Sequence, residues 1–159
     1  MTRLRRLGES LYLLSIALWV GGMWVVGYLV VPALFANLGD RQLAGNLAGR
    51  LFVQIAWIGL AVLGYALLYL FSRWSVSLFR RPMVWMILLL IALVAVNLFG
   101  LLPLMAKLKV EALPHDVMES ALRDRFVMWH GVSSILYLLQ SLLGGAVVLW
   151  SVREIRGQP

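Results

Sequence analysis

The sequence predicts an all-α fold: an integral membrane four-helix bundle with helical extensions on its non-cytoplasmic side. Three observations predict it. Hydrophobic residues make up 62% and charged ones 13% of the chain, against roughly 45–50% and about 25% in soluble domains. A soluble protein of this composition could not hide its apolar surface. The apolar residues fall into four runs, each near or above the roughly 20 residues that cross a bilayer as helix. The last run, 126–150, carries His130, Ser134, Tyr137, Ser141 and Gly144 at steps of four and three, flanked by Ser133 and Gln140. That spacing is helical, and the stripe is expected to face other helices or water, because polar groups turned to lipid go unsatisfied.

At 159 residues the chain is read as one domain, 1–159. After a short basic tail with Arg3, Arg5 and Arg6, the first span covers about 11–35. Its length, Trp19 and Trp24, and the lack of a small-residue exit favour an uncleaved span over a signal peptide. Pro32 lies near its far end and leaves the Tyr28 carbonyl without a helical donor. Asn37-Leu38-Gly39 reads as a helix stop and Asp40 as the next N-cap. Residues 41–50 are too polar for lipid and read as a helical lead-in to the second span, 51–71, whose one strongly polar side chain is Gln54.

Residues 72–81 form a basic connection, and Pro82 suits the first turn of the next helix. The third span, 83–105, holds Asn97, Gly100 and Pro103 in its second half; Pro103 frees the Phe99 carbonyl and should bend the helix. In the loop that follows, Pro114 ends what continues from the third span. Asp116 with Glu119 resembles a capping box, and Glu119 is spaced to pair with Arg123, so the fourth helix is expected to begin near Val117. Its membrane part is 126–150.

Four spans put both termini on one side, with Arg3, Arg5, Arg6, Arg73, Arg80, Arg81, Arg153 and Arg156; the other side has Arg41, Arg50, Lys107, Lys109, Arg123 and Arg125. This excess, with the acids of the long loop, predicts cytoplasmic termini and a cell (inner) membrane location. Tyr12, Trp74, Trp85 and Trp150 then fall at one interfacial level.

The net charge of +7 sits in short clusters between apolar runs and reports topology and lipid headgroups; no basic face with interleaved aromatics points to nucleic acid. With no cysteine in the chain, disulfides, thiolate metal sites and cysteine nucleophiles are excluded. Within the spans there is no serine–histidine–acid arrangement, phosphate loop or carboxylate pair, so no enzyme and no cofactor are expected. A membrane-embedded acid–base step at His130 is the one basis an enzyme would have.

The candidate ligand-binding residues are Gln54, Asn97, His130, Ser133 and Ser134, at one level in the outer half of the bundle. Pro32 and Pro103 are the candidate gating bends. His130 is the ionisable side chain within the spans, suited to proton relay, solute contact or, if any metal is held, ligation. Against this stands a plainer reading, in which Ser, Asn, Gln and His act as hydrogen-bonding glue between helices at about 0.6 kcal/mol each. Gly21, Gly22, Gly27, Gly144 and Gly145 are explained by close helix approach.

Trp19-x-Gly21-Gly22-x-Trp24 with Val31-Pro32-Ala33-Leu34-Phe35, then Ala44-Gly45 and Ala48-Gly49-Arg50-Leu51-Phe52, Asn97 with Pro103, and Phe126-x3-His130-Gly131-x-Ser133 resemble the transmembrane-protein-205-like family over nearly the whole chain. The resemblance implies a small four-span membrane protein, of a kind mostly without assigned function in bacteria. The eukaryotic namesake's association with platinum-drug resistance implies export or sequestration of a soft-metal complex. That role is tied to sulfur ligands, and this chain has no cysteine.

The function expected is a small carrier or channel-like protein handling a small cation, metal complex or polar solute in the polar layer, with His130 as titrating contact. The alternative is a non-catalytic accessory or assembly subunit of a larger membrane complex. The expected partners are the lipid bilayer and a homo-oligomer or larger complex.

Overall fold

The computed structural model describes residues 3–113 and 115–156. Within them the chain is helical with no strand, and four helices are long and apolar enough to cross a membrane: Leu7–Asn37, Arg41–Trp74, Pro82–Glu111 and Arg123–Glu154. The protein is a multi-pass membrane protein. Each span packs against its neighbours in sequence and the fourth closes on the first, giving an antiparallel ring.

Asp40 caps the second span as its chemistry requires: its carboxylate accepts from the amides of Gln42 and Leu43 at 2.8 and 3.0 Å, two donors that have no partner within a helix. From that cap α3 (Arg41–Trp74) runs unbroken. At about 1.5 Å per residue it is longer than the bilayer core, so the 41–50 lead-in is a true extension of the second span.

Both prolines act through wide turns. The first span is α1 (Arg3–Val25), a π turn at Val26–Val30 and α2 (Val31–Asn37). The third is α4 (Pro82–Ala95), a π turn at Val96–Leu101 and α5 (Leu102–Glu111). In each, the amide just before the proline reaches back five residues, Val31 to the Val26 carbonyl and Leu102 to that of Asn97. Proline lacks an N–H and its ring crowds the preceding turn; a locally wider helix relieves both.

The fourth helix differs from expectation. Asp116 caps a single 3₁₀ turn, Val117–Glu119, and Ser120 then redirects the chain, its hydroxyl accepting from the Leu122 amide at 3.2 Å. The long helix α6 begins at Arg123 and reaches Arg156. A serine that offers the backbone a local alternative interrupts the helix that the capping pattern would have started. No Glu119–Arg123 pair forms; the ion pairs among the described residues are Glu9–Arg73 and Arg81–Glu154. Pro114 lies outside the described residues.

The interior is apolar: Ile16, Val20, Leu63, Ile87, Leu90, Val94 and Val147 are buried in one cluster. Helices gain little from hydrophobic burial when lipid is the alternative, so close fit has to hold the ring together. The Trp-x-Gly-Gly-x-Trp stretch supplies it in two directions. Trp19 faces the second span, its Nε1 donating to the Ile55 carbonyl at 3.0 Å and its ring lying where a Cβ on Gly59 would sit. Trp24 faces the fourth span, its Nε1 donating to the Ser141 carbonyl at 3.3 Å with its ring against Gly145. Gly144 meets Val20, and Gly27 meets the Tyr137 ring; Gly21 faces open space. Outward, Leu18, Leu68 and Leu142 are more than 60% exposed, a surface suited to lipid and not to water.

Candidate functional site

The buried stripe of the fourth span is turned relative to the one its polar pattern suggests. Ser133, Gln140, Ser141, Gly144, Val147 and Ser151 are buried, while His130 and Ser134 are exposed. The physical reason lies in the residues that continue each stripe: Gly144 fits against Val20 of the first span and Val147 is buried in the core, whereas Val127, Ile135 and Leu138, beside His130 and Ser134, are exposed.

Of the candidate residues, the structure brings together Asn97 and Ser133. The Ser133 hydroxyl donates to Asn97 Oδ1 at 2.8 Å, both side chains buried. Ser134 spends its hydroxyl on its own helix, donating to the His130 carbonyl at 2.9 Å. His130 stacks its ring on Phe126, centroids 5.8 Å apart, close to Lys109, whose Nζ lies 5.8 Å from the Phe126 centroid. Lys109 donates to the Gly45 carbonyl at 3.0 Å, tying the third span to the lead-in of the second. Gln54 is exposed on α3 and is not among the residues that line the cavity beside Asn97. Pro32 and Pro103 are exposed, at the ends of the π turns.

Two residues of the fourth span do more than the sequence suggested. The Tyr137 hydroxyl donates to the Met23 carbonyl at 2.6 Å, and Gln140 Nε2 donates to the Leu93 carbonyl at 3.2 Å. Met23 and Leu93 each stand three residues before a π turn. One helix therefore fastens the backbone beside both irregular segments, as non-ideal helices in membranes require. The sequence signal was present in the seven-residue step from Ser133 to Gln140, two helical turns on one face.

Between these groups lies a cavity of about 20 Å³ lined by Trp19, Met23, Asn97, Leu102, Tyr137 and Gln140 among others, none of them charged. It is large enough for one water, which needs about 10–15 Å³. The donors of Trp19, Tyr137 and Ser133 are spent on protein acceptors. Asn97 Nδ2 and Gln140 Oε1 take part in no hydrogen bond within the described residues, and both side chains line the cavity. No fully enclosed side-chain nitrogen or oxygen among the described residues lacks a partner, so both atoms keep some accessible surface. Nowhere among the described residues do three or more His, Asp or Glu side chains converge as a metal site would need.

The end of the bundle that carries the termini is closed by charges that sequence reasoning missed, since each pair joins distant parts of the chain. Arg73 Nη1 donates to Glu9 Oε1 at 2.6 Å and to the Tyr69 hydroxyl at 3.3 Å. Arg81 Nη1 donates to Glu154 Oε1 at 3.0 Å. The Trp74 ring takes both guanidinium groups, at 5.2 and 3.9 Å from its centroid. Just inside, Ser151 donates to the Val147 carbonyl at 2.7 Å and so receives the Tyr12 hydroxyl at 3.1 Å. All four spans meet in this layer.

A family described as a domain of unknown function (DUF4149) matches residues 14–114, a stretch holding most of the first span and all of the second and third. No curated protein and no solved structure matches the chain.

Proposed function

The chain belongs to the DUF4149 family, whose description assigns no activity, and from its own interior we propose that it is a small carrier or channel-like protein for a polar solute. The observation that carries this reading is the uncharged cavity that Asn97 and Gln140 line, with Asn97 itself in the second π turn. Such turns are weak points of a helix and concentrate at functional sites. A helix that can exchange a wide turn for a regular one shifts everything beyond it by a fraction of a turn. Pro32 and Pro103 fix where that exchange occurs, and the Glu9–Arg73 and Arg81–Glu154 layer shuts the terminal end in the form described.

In this reading Asn97 and Gln140 contact the solute, and Ser133 holds Asn97 in place. His130 and Lys109 stand at the opposite end, where a solute would come in or leave. The termini are cytoplasmic and the membrane is the inner one, on the excess of arginines at the terminal side. We also hold the chain to be kin of the transmembrane-protein-205-like proteins, on the motifs that resemble theirs. Soft-metal cargo is disfavoured, because no cysteine is present.

A second reading, an accessory or assembly subunit, is supported by the outward placement of His130 and Gln54. A polar side chain turned to lipid gains from a partner helix. The two readings part in reconstituted liposomes. A carrier speeds exchange of small polar solutes over protein-free liposomes; exchange at the bare-lipid rate for water, small neutral solutes and monovalent ions would leave the accessory reading.

A further inference from the structure

We propose that the cavity beside Asn97 and Gln140 takes a small neutral solute that both accepts and donates hydrogen bonds, of the size of water, and rejects ions. This names the ligand class of the site just described and rests on that reading. Three observations carry it. Asn97 and Gln140 are 7% and 4% exposed, and each side chain lines the cavity with a group that bonds to no described protein atom. Asn97 Nδ2 offers donors and Gln140 Oε1 an acceptor, across a space of about 20 Å³ that both line. A molecule that accepts from the first and donates to the second satisfies both at once.

The lining rejects charge for the same reason. Its ten residues include no acid, lysine, arginine or histidine. An ion there would give up its hydration for one amide and one carbonyl, and burying an unpaired charge is far costlier than burying a neutral polar group. Lys109 and the Glu9–Arg73 pair stand towards the two ends of the bundle and are not among the residues that line the cavity. A selective site for a cation would place carboxylates or several carbonyl oxygens where this one has Val94, Ile55 and Phe52.

The test uses the full chain, labelled with ¹⁵N, in lipid nanodiscs, and the same protein in liposomes. Cross-relaxation between water and the Asn97 side-chain amide protons is measured in the first. Osmotic water permeability and rubidium uptake are measured in the second. We expect strong cross-relaxation at Asn97, weakened in Gln140→Met, which keeps the volume and removes the acceptor. Loss of one such hydrogen bond should lower occupancy about tenfold. Rubidium uptake should stay at the protein-free rate. Cross-relaxation without any water flux would keep the ligand class and remove only the transport reading. No cross-relaxation at Asn97 in the wild type, or rubidium uptake above protein-free liposomes, would overturn the proposal; both are read on the wild type, so they decide even if Gln140→Met fails to fold.

Discussion

Trp19 and Gly59 interlock across the first and second spans: a Cβ on Gly59 would stand 2.6 Å from the indole, whose Nε1 holds the Ile55 carbonyl one turn away. The contact is backbone to ring, with nothing flexible to yield. Gly59→Ala should therefore destabilise the bundle by about 1–3 kcal/mol through overpacking, seen as a lower thermal midpoint in detergent. Gly21→Ala, at a position where a Cβ meets nothing within 4 Å, should leave the midpoint unmoved. Equal effects at both positions would refute the interlock.

The two ion pairs should differ in weight. The side chains of Arg73 and Glu9 are 11% and 12% exposed, those of Arg81 and Glu154 41% and 27%. Glu9→Gln takes a carboxylate away from a mostly buried guanidinium and should cost more, up to about 3 kcal/mol, the lower bound for broken buried pairs. Glu154→Gln should cost under about 1 kcal/mol, as exposed pairs do. Unfolding in mixed detergent micelles ranks them, and the reverse order would contradict the burial.

Much of the fold was legible in the sequence, and particular residues show why. Asp40 followed by a polar lead-in specifies its own cap, a local matter settled within three residues. Pro32 and Pro103 announced irregular helix at the right places, though as bends; whether the backbone answers by bending or by widening depends on neighbours, here Tyr137 and Gln140 from the fourth span. The polar stripe was visible but its facing was not, because His130, Ser134 and Ser133 differ by less than a third of a turn in what they could present. Glu9–Arg73 was out of reach, since the residues are 64 positions apart and only the ring of helices brings them together.

Asn97 and Ser133 form a buried side-chain pair, and membrane hydrogen bonds of this kind average about 0.6 kcal/mol with a maximum near 1.7. A double-mutant cycle with Asn97→Leu and Ser133→Ala should return a coupling energy in that range. A coupling of zero would mean that the two do not bond in the membrane.

Pro32→Ala and Pro103→Ala restore the missing amide donor, so the wide turns at Val26–Val30 and Val96–Leu101 lose their cause. Each variant should show slower amide exchange at these turns and slower solute exchange in liposomes, with the thermal midpoint equal or raised. Unchanged exchange at the turns would separate the π geometry from the prolines.

The most direct test of the central claim, that the Asn97–Gln140 interior handles a solute and is not merely packing, is the osmotic water permeability of liposomes carrying Asn97→Leu beside the wild type. The wild type should exceed protein-free liposomes, and Asn97→Leu should fall back to them while folded, with His130→Ala retaining most of the wild-type rate. Equal permeability of wild type and Asn97→Leu, at equal reconstitution, would contradict the claim and leave Asn97, Ser133 and Gln140 as helix packing.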